Sequence, residues 1–453
     1  MAMITRHDSP LQDDLLIWIE RLFWVLALAT SIGFIVVKLA AWRAGDVAGG
    51  GDDFQAYYCA SHVLRQDPSA LYAPIVVPSL EAQRVTCTPY LYAPTIALLF
   101  SPLANFSFVD ARRIWFAGNL AIVAGIVAIL WRIAGDRRVR RYALAMFLLS
   151  PALWDAIYLG QISPLLGLWV VGAVWLSARS GSLPNFTAGL LIALAGAIKP
   201  FIFILILLVP WHRRWSMALG IITGMACMIL PGLLLLPIAA SQHYVEVLSS
   251  VNETLAMPGG TNFWNQSAMA FWERAFQSGD TVVNLQGQPH RFLLLSSLPD
   301  WLLDPVKIAT VAMILLATVW ALYRRRSWHT QLTGSVWGAG LLLLCALIVA
   351  PLTWNHYLVI GAPVFVAVAE HVKAPPSGWR ILIPAGFFLT VAQRGAVLWL
   401  QIFPNPMLIS LFFFGVLVWW MVLLQGGLAI SRRLPDGAIP NALHDQVVPN
   451  DAT

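Results

Sequence analysis

Apolar stretches of roughly twenty residues alternate with short polar segments along most of this chain. A bilayer core calls for about 20 predominantly apolar residues per helix, so the pattern predicts a polytopic helical membrane protein. The first run, residues 22–42, follows a segment with charges of both signs, including Asp13, Asp14 and Glu20. A cleavable leader has a cleaner, positively charged start, so this run reads as an uncleaved first helix. Basic clusters then punctuate the apolar runs: Arg137, Arg138, Arg140 and Arg141; Arg213 and Arg214; Arg324, Arg325 and Arg326; a weaker group of His371, Lys373 and Arg380; and Arg432 with Arg433. Lys and Arg are enriched in cytoplasmic loops. Placing every cluster there puts two long loops, residues 43–109 and 241–304, on the outer face and both termini inside.

That orientation forces several turns. Residues 142–178 must cross twice, turning near Gly160-Gln161-Ile162-Ser163. Residues 188–210 must also leave and return, yet they are too few for two full spans. Proline breaks a helix, so the Lys199-Pro200 step predicts two half-length helices meeting at Lys199. A further outer turn falls at Asn355-His356-Tyr357. The expected fold is an all-α polytopic bundle of about twelve membrane segments. It forms one domain over residues 1–433, followed by a polar, proline-containing cytoplasmic tail, 434–453, that reads as disordered. In the first loop, Tyr57, Tyr58, Ala60, Val63 and Leu64 recur at helical spacing. They predict an amphipathic helix with Asp53 available as its N-cap. Residues 92–103 form an apolar run too short to span, expected at the interface.

Composition agrees with lipid exposure. Of 453 residues, 59% are hydrophobic and 11% charged, and mean hydropathy is +0.72. Soluble domains carry about 25% charged residues, so these charges are too few for a fully wetted surface. The 21 Trp suit the headgroup level. A net charge of +6 does not mark a nucleic-acid binder, because the positive charges sit in short clusters between apolar runs. Walker A, His-Glu-x-x-His, dinucleotide and Cys-x-x-Cys patterns are all missing, which argues against a nucleotide-fuelled pump or a standard metal cage. Cys59 and Cys87 share the outer loop, where an oxidising compartment allows a disulfide; two reduced thiols are the alternative. Cys227 and Cys345 lie in apolar runs and are expected to be buried thiols.

The polar residues left for chemistry gather on the outer side. Asp52 and Asp53 follow Gly49, Gly50 and Gly51, where the backbone turns freely. Lys199 is a cation within an apolar hairpin; such a residue is expensive in lipid and faces a cavity or partner, or snorkels to the headgroups. Asp155 sits near the Gly160 turn and reads most simply as a solvated or capping residue. Arg394, late in an outward-running helix, suits either a substrate phosphate or lipid phosphates, and His356 either a polar turn or a site. A carboxylate, several cations and a long apolar groove suit a sugar carried on a polyprenyl phosphate.

At this point the sequence resembles the GT-C superfamily of polyprenyl-phosphate-sugar-dependent glycosyltransferases, and within it glycosyltransferase family 87. Asp53-Phe54-Gln55-Ala56-Tyr57-Tyr58-Cys59-Ala60 with Leu71-Tyr72 is similar to the family's first outer loop. Tyr92-Ala93-Pro94, then Pro102-Leu103 and Arg112-Arg113-Ile114-Trp115, resembles its Tyr-Pro-Pro segment, with Ala93 replacing a Pro. Gly160-Gln161-Ile162-Ser163 resembles a Gly-Gln-x-Asn turn, with Ser163 for Asn. Ala197-Ile198-Lys199-Pro200 resembles its Lys-Pro hairpin, and Asn265-Gln266-Ser267 with Arg274 its second loop. Trp354-Asn355-His356-Tyr357 resembles a Trp-x-His-His segment, with Tyr357 for the second His.

The resemblance implies an inverting transfer without metal or other cofactor. An acidic residue of the first loop, Asp53 or else Asp52, would act as general base. Lys199, with Arg274 and Arg394, would hold the donor phosphate, and His356 would position acceptor or phosphate. Tyr57, Tyr58, Gln161, Asn265 and Gln266 would meet sugar or acceptor. The implied partners are a polyprenyl-phosphate sugar, with mannose the family-level expectation, a lipid or glycan acceptor, and membrane lipids. The implied location is the inner (plasma) membrane, with the site facing the periplasm or exterior. A flippase for lipid-linked sugars and a non-catalytic subunit of an envelope complex are the rival readings.

Overall fold

A computed structural model describes residues 10–43, 53–73, 85, 87–255, 264–277, 282–285, 288–291, 295–325, 331–373, 378–400 and 405–429. Asp52, the preceding glycines and the 434–453 tail lie outside these residues. The chain is almost entirely helical. Helices used below are α1 (Pro10–Arg43), α2 (Asp53–Gln66), α3 (Phe108–Ile133), α4 (Pro151–Tyr158), α5 (Ser163–Ser177), α6 (Ser182–Ile198), α7 (Trp215–Leu235), α8 (Ala268–Phe276), α9 (Asp300–Arg324), α10 (Leu332–Val349), α11 (Gly378–Leu400) and α12 (Leu411–Ala429). The exception to the all-α expectation is a two-stranded antiparallel hairpin in the second loop, β1 (Val282–Leu285) and β2 (Gln288–Arg291). That second loop also begins inside a helix, Ile238–Leu255, rather than at residue 241.

Five helices among the described residues are long and apolar enough to cross a membrane: Asp14–Ala40 within α1, then α3, α7, α9 and α10. α10 is the central one, with 83% of its apolar window buried, whereas the other four bury 11–22%. Their outward faces carry large apolar side chains, among them Val37, Ile222, Leu234 and Leu316, each more than 60% exposed. Apolar surface on this scale does not face water in a soluble monomer. Cys227 lies on this exposed face of α7, contrary to the expectation of a buried thiol, while Cys345 is buried in α10. Apolar composition marks a span but not which side of it meets protein.

α6 and α7 cross closely because glycines remove the side chains between them. A Cβ on Gly189 would lie 1.9 Å from the Met217 carbonyl oxygen, and one on Gly220 1.9 Å from that of Phe186. Gly224 would meet Ala193 and Leu190. Gly220 and Gly224 are one helical turn apart, the small-xxx-small spacing through which membrane helices let backbones touch.

The described members of the basic clusters lie toward one end of the bundle. A guanidinium nitrogen of Arg214 donates to the carbonyls of Ser177 and Arg179 and to Asn185 Oδ1, closing the turn between α5 and α6. Arg213 adopts a left-handed φ of 53° at the tight turn into α7. Trp211 neighbours Trp337, whose ring lies 5.2 Å from the Arg325 guanidinium. Arg325 in turn donates to the Gly426 carbonyl. Glu20, near the start of α1, pairs with Arg380 at 3.0 Å. Asp136 caps Arg137–Leu149 by accepting from the amides of Arg138 and Val139.

The Lys-Pro hairpin differs from expectation in an informative way. Its first arm, α6, is a 17-residue helix. After Lys199 the chain winds as a 3-10 helix, Pro200–Leu207, and then one α-turn, Leu208–His212. Rises of about 1.5 Å per α residue and 2.0 Å per 3-10 residue make both arms roughly 25 Å long. The larger rise per residue lets a return arm of few residues reach nearly as far as α6, so these are not half-length arms.

Candidate active site at the Asp53–Lys199 junction

The end opposite the basic clusters is built from turns. α4 ends at Tyr158, and Gly160 supplies a positive φ of 68° that lets the chain reverse into α5. Trp115 Nε1 donates to the Gly160 carbonyl at 2.8 Å, fixing the turn against α3. The Phe54 amide donates to the Leu159 carbonyl at 3.1 Å, seating the first turn of α2 on the same turn. A disulfide between Cys59 and Cys87 ties α2 to the chain leading into Tyr90 and Tyr92.

α2 is buried nearly all round, not on one face as an amphipathic helix would be. Phe54, Tyr57, Tyr58, Cys59 and Ala60 are all fully buried. Tyr57 stacks on Phe100 from the short helix Pro94–Phe100, at 4.6 Å between centroids. Tyr58 donates its hydroxyl to the Phe106 carbonyl at 2.8 Å, a packing role. The run at 92–103 thus roofs α2.

Asp53 is the first residue of α2 and stays partly exposed. Its carboxylate accepts a hydrogen bond from the Gln161 side-chain amide. Burial drives its pKa up, while the Gln161 bond and the Lys199 charge pull it down; the outcome is about 6. A carboxylate in that range is ionised at neutral pH yet basic enough to take a proton.

Lys199, at the break in the hairpin, is buried. Its ammonium lies 4.0 Å from the centroid of the Tyr357 ring and 5.7 Å from that of Tyr92. Phe201 stacks on Tyr357, with ring centroids 5.2 Å apart. A desolvated cation–π contact offers about 2 kcal/mol, less than the several kcal/mol that burying an ion costs. The aromatic walls therefore do not by themselves offset the buried charge, and an anion entering here is favoured. His356, on the 3-10 helix Asn355–Val359, lies 5.0 Å from Tyr357 by ring centroids. Among the described residues, His356 Nε2 and Gln161 Oε1 are buried with no hydrogen-bond partner.

The other sequence candidates fall elsewhere. Asn265 donates to the Pro351 carbonyl and accepts from the amides of Ser267 and Thr353, so it laces the second loop to the segment before His356. The Gln266 amide adds a bond to the Thr353 carbonyl at 2.6 Å. Arg274, on α8, is fully buried and donates to the Asn265 carbonyl and Ser410 Oγ, which places it in packing of this loop. Burial lowers its pKa to about 9. Arg394 belongs to α11, but its side chain lies outside the described residues. Asp155 is buried and pairs with Lys38 at 3.5 Å instead of facing water. Tyr92 and Tyr357 were legible only as motif letters; their contact with Lys199 arises from the meeting of segments far apart in sequence. Among the described residues no group of three or more His, Cys, Asp or Glu could hold a metal ion.

Known proteins give this junction a context. Residues 90–351 match the sequence profile of Glycosyltransferase family 87. The chain belongs to glycosyltransferase family 87. The family match contains Gln161, Lys199, Asn265, Gln266 and Arg274; Asp53 precedes it and His356 follows it. The chain is also similar to a polyprenol-phosphate-mannose-dependent alpha-(1-2)-phosphatidylinositol pentamannoside mannosyltransferase of Mycolicibacterium smegmatis, at 28% identity over 187 residues. That alignment takes in 40% of this chain and 42% of the relative, so it spans less than half of either. No solved structure matches.

Proposed function

We propose that this member of family 87 transfers a sugar from a polyprenyl-phosphate donor to a hydroxyl of a lipid or glycan acceptor, with inversion at the anomeric carbon. The observation that carries this reading is Asp53, held by Gln161, within the electrostatic reach of Lys199 and its tyrosine walls. The Asp53 carboxylate takes the proton of the acceptor hydroxyl as that oxygen attacks the anomeric carbon. The bond from that carbon to the phosphate oxygen breaks, and polyprenyl phosphate departs with its charge beside Lys199. Positioned bases contribute about 10²–10⁴-fold, and preorganised charge at the leaving group is commonly the larger contribution. Gln161 Oε1 and His356 Nε2 offer polar atoms to the sugar or phosphate.

Mannose is the favoured sugar, in keeping with the donor named for the mycobacterial relative. The bundle reads as about twelve membrane segments in the inner (plasma) membrane, with the Asp53–Lys199 end facing the periplasm or exterior and the arginine-rich end in the cytoplasm. The experiment is a donor screen. Purified protein is incubated with polyprenyl-phosphate sugars and acceptor glycolipids, and release of polyprenyl phosphate is followed by mass spectrometry. Release coupled to a heavier acceptor supports the transferase. Movement of intact sugar lipid between leaflets without release would replace this reading with a flippase.

A further inference from the structure

α1 is a weakly embedded helix: 11% of its apolar window is buried, against 83% for α10. Apolar contact is non-directional, so it fixes neither the height nor the rotation of α1 against its neighbours. Polar contacts can. Near the start of α1, Glu20 pairs with Arg380. Near its end, the Lys38 ammonium lies 3.5 Å from the Asp155 carboxylate and 4.1 Å from the Tyr158 ring centroid. Asp155 is 2% exposed. Taking one charge of a buried pair out of register leaves the other uncompensated and away from water, so this pair demands close placement.

The pair grips the last turn of α4, which runs straight into the Gly160 turn. The Asp155 carbonyl accepts from the Leu159 amide at 2.9 Å, and the Ala156 carbonyl from the Gln161 amide at 2.8 Å. The Gln161 side chain then donates to Asp53. A cavity of about 350 Å³ opens beside Lys38, Tyr158 and Gly160, so close packing does not brace the turn on that side.

We propose that Lys38 and Asp155 are positioning residues for the catalytic base: their ion pair holds the end of α4 at the height from which Gln161 reaches Asp53. The inference rests on the transferase reading and deepens it by tying α1, a helix outside the Asp53–Lys199 junction, to the reaction. Without the pair the turn shifts, Gln161 loses its hold, and Asp53 protonates more easily. Among the described residues, the ionisable groups that act on Asp53 are Lys199, Tyr57, Tyr92 and Tyr357. None of them belongs to α1 or α4, so a moved acid limb in a Lys38 variant traces to the turn.

The test is the pH profile of kcat/KM for polyprenyl phosphate release by full-length protein, with the donor and acceptor found in the screen above. Lys38→Met should move the acid limb up by roughly one pH unit, as far as Gln161→Leu does. From the ionised fraction of the base, that is about a fivefold loss at pH 6 and almost none at pH 8. A mere loss of folded protein lowers the rate equally at every pH. Lys38→Arg keeps the pair and should restore the native limb. Lys38→Met combined with Gln161→Leu should move the limb no further than either change alone, because both act through one bond. Lys38→Met combined with Asp155→Leu removes both charges, strands neither, and should still move the limb. A limb that stays in place in both Lys38→Met and the charge-free double variant would overturn the proposal. So would a uniform loss at all pH, a shift that adds to that of Gln161→Leu, or failure of both Lys38 variants to fold, which would assign the pair to folding alone. Absence of release by the native protein with every donor removes the transferase reading instead.

Discussion

The side-chain amide of Gln161 donates to the carboxylate of Asp53, 108 positions earlier in the chain. This bond joins the turn between α4 and α5 to the head of α2, and it holds a carboxylate that the Lys199 ammonium also acts on. Replacing Asp53 by Asn keeps the shape but removes the basic oxygen. Turnover should fall by about a hundredfold or more, the usual scale of general-base catalysis. Thermal stability should hold or rise, since the buried charge is gone. Release of polyprenyl phosphate and a melting curve, measured side by side, check both halves. Full activity in Asp53→Asn removes the assigned base.

The pH dependence follows from the same group. Asp53 must be unprotonated to accept a proton, so kcat/KM should drop as pH falls through about 6. Its folded pKa lies above the ordinary carboxylate value of 3.8. The stability linked to this group is therefore greatest below about 3.8 and is lost as pH rises through about 6, the sense opposite to the activity limb. Gln161→Leu deletes a bond that favours the charged form. A hydrogen bond to a charged group is worth about 1.5 kcal/mol or more, so the acid limb should move up by roughly one pH unit. A limb that stays in place in Gln161→Leu shows that this bond does not tune the base.

Lys199→Ala should raise the donor KM while the protein stays monodisperse. Its ammonium faces Tyr357 and Tyr92, and no acidic group appears in a salt bridge with it among the described residues. Losing one charged contact to a phosphate costs about tenfold or more in affinity. Lys199→Arg keeps the charge and should recover part of the loss. Steady-state kinetics with donor as the varied substrate gives the answer, and wild-type values in the Ala variant would leave Lys199 as a headgroup anchor.

Gly220→Val should be a folding defect. The new side chain would start 1.9 Å from the Phe186 carbonyl, and two helix backbones would have to part. Overpacking typically costs about 1–3 kcal/mol, and backbone obstacles give less than side chains do. A lower detergent melting temperature is expected, with Gly220→Ala milder. Unchanged melting in both would mean that α6 and α7 can separate freely.

Breaking the Cys59–Cys87 link by a double Ser substitution should destabilise the first loop. The bridged residues are 28 apart, which in chain-entropy terms is worth about 3.5 kcal/mol. Because α2 carries Asp53, activity should fall more steeply with temperature than in the native protein. Non-reducing peptide mapping of the native protein first establishes the bridge; two trappable thiols there would contradict it.

Sequence alone determined the class of this protein, because a lipid-facing surface leaves its mark on composition: long apolar runs and few charges cannot be hidden. It also grouped the basic clusters at one end and the Gly160, Lys199 and His356 turns at the other, since charge and proline act locally and are visible one residue at a time. Family membership followed from short motifs in order. The tertiary structure decided what no local pattern carries. Glycine spacing at Gly220 and Gly224 became meaningful only against Phe186 and Leu190 across the helix crossing. The contacts of Arg274 with Asn265 and Ser410 could not be read from its charge, and Asp155 looked solvated but meets Lys38. The Lys-Pro hairpin lengthened by winding as 3-10 helix, a choice that hydropathy cannot express. The site itself depends on long-range closure: Asp53, Gln161, Lys199 and Tyr357 lie on four separate segments, and only packing brings a carboxylate, an amide, an ammonium and an aromatic face to one junction.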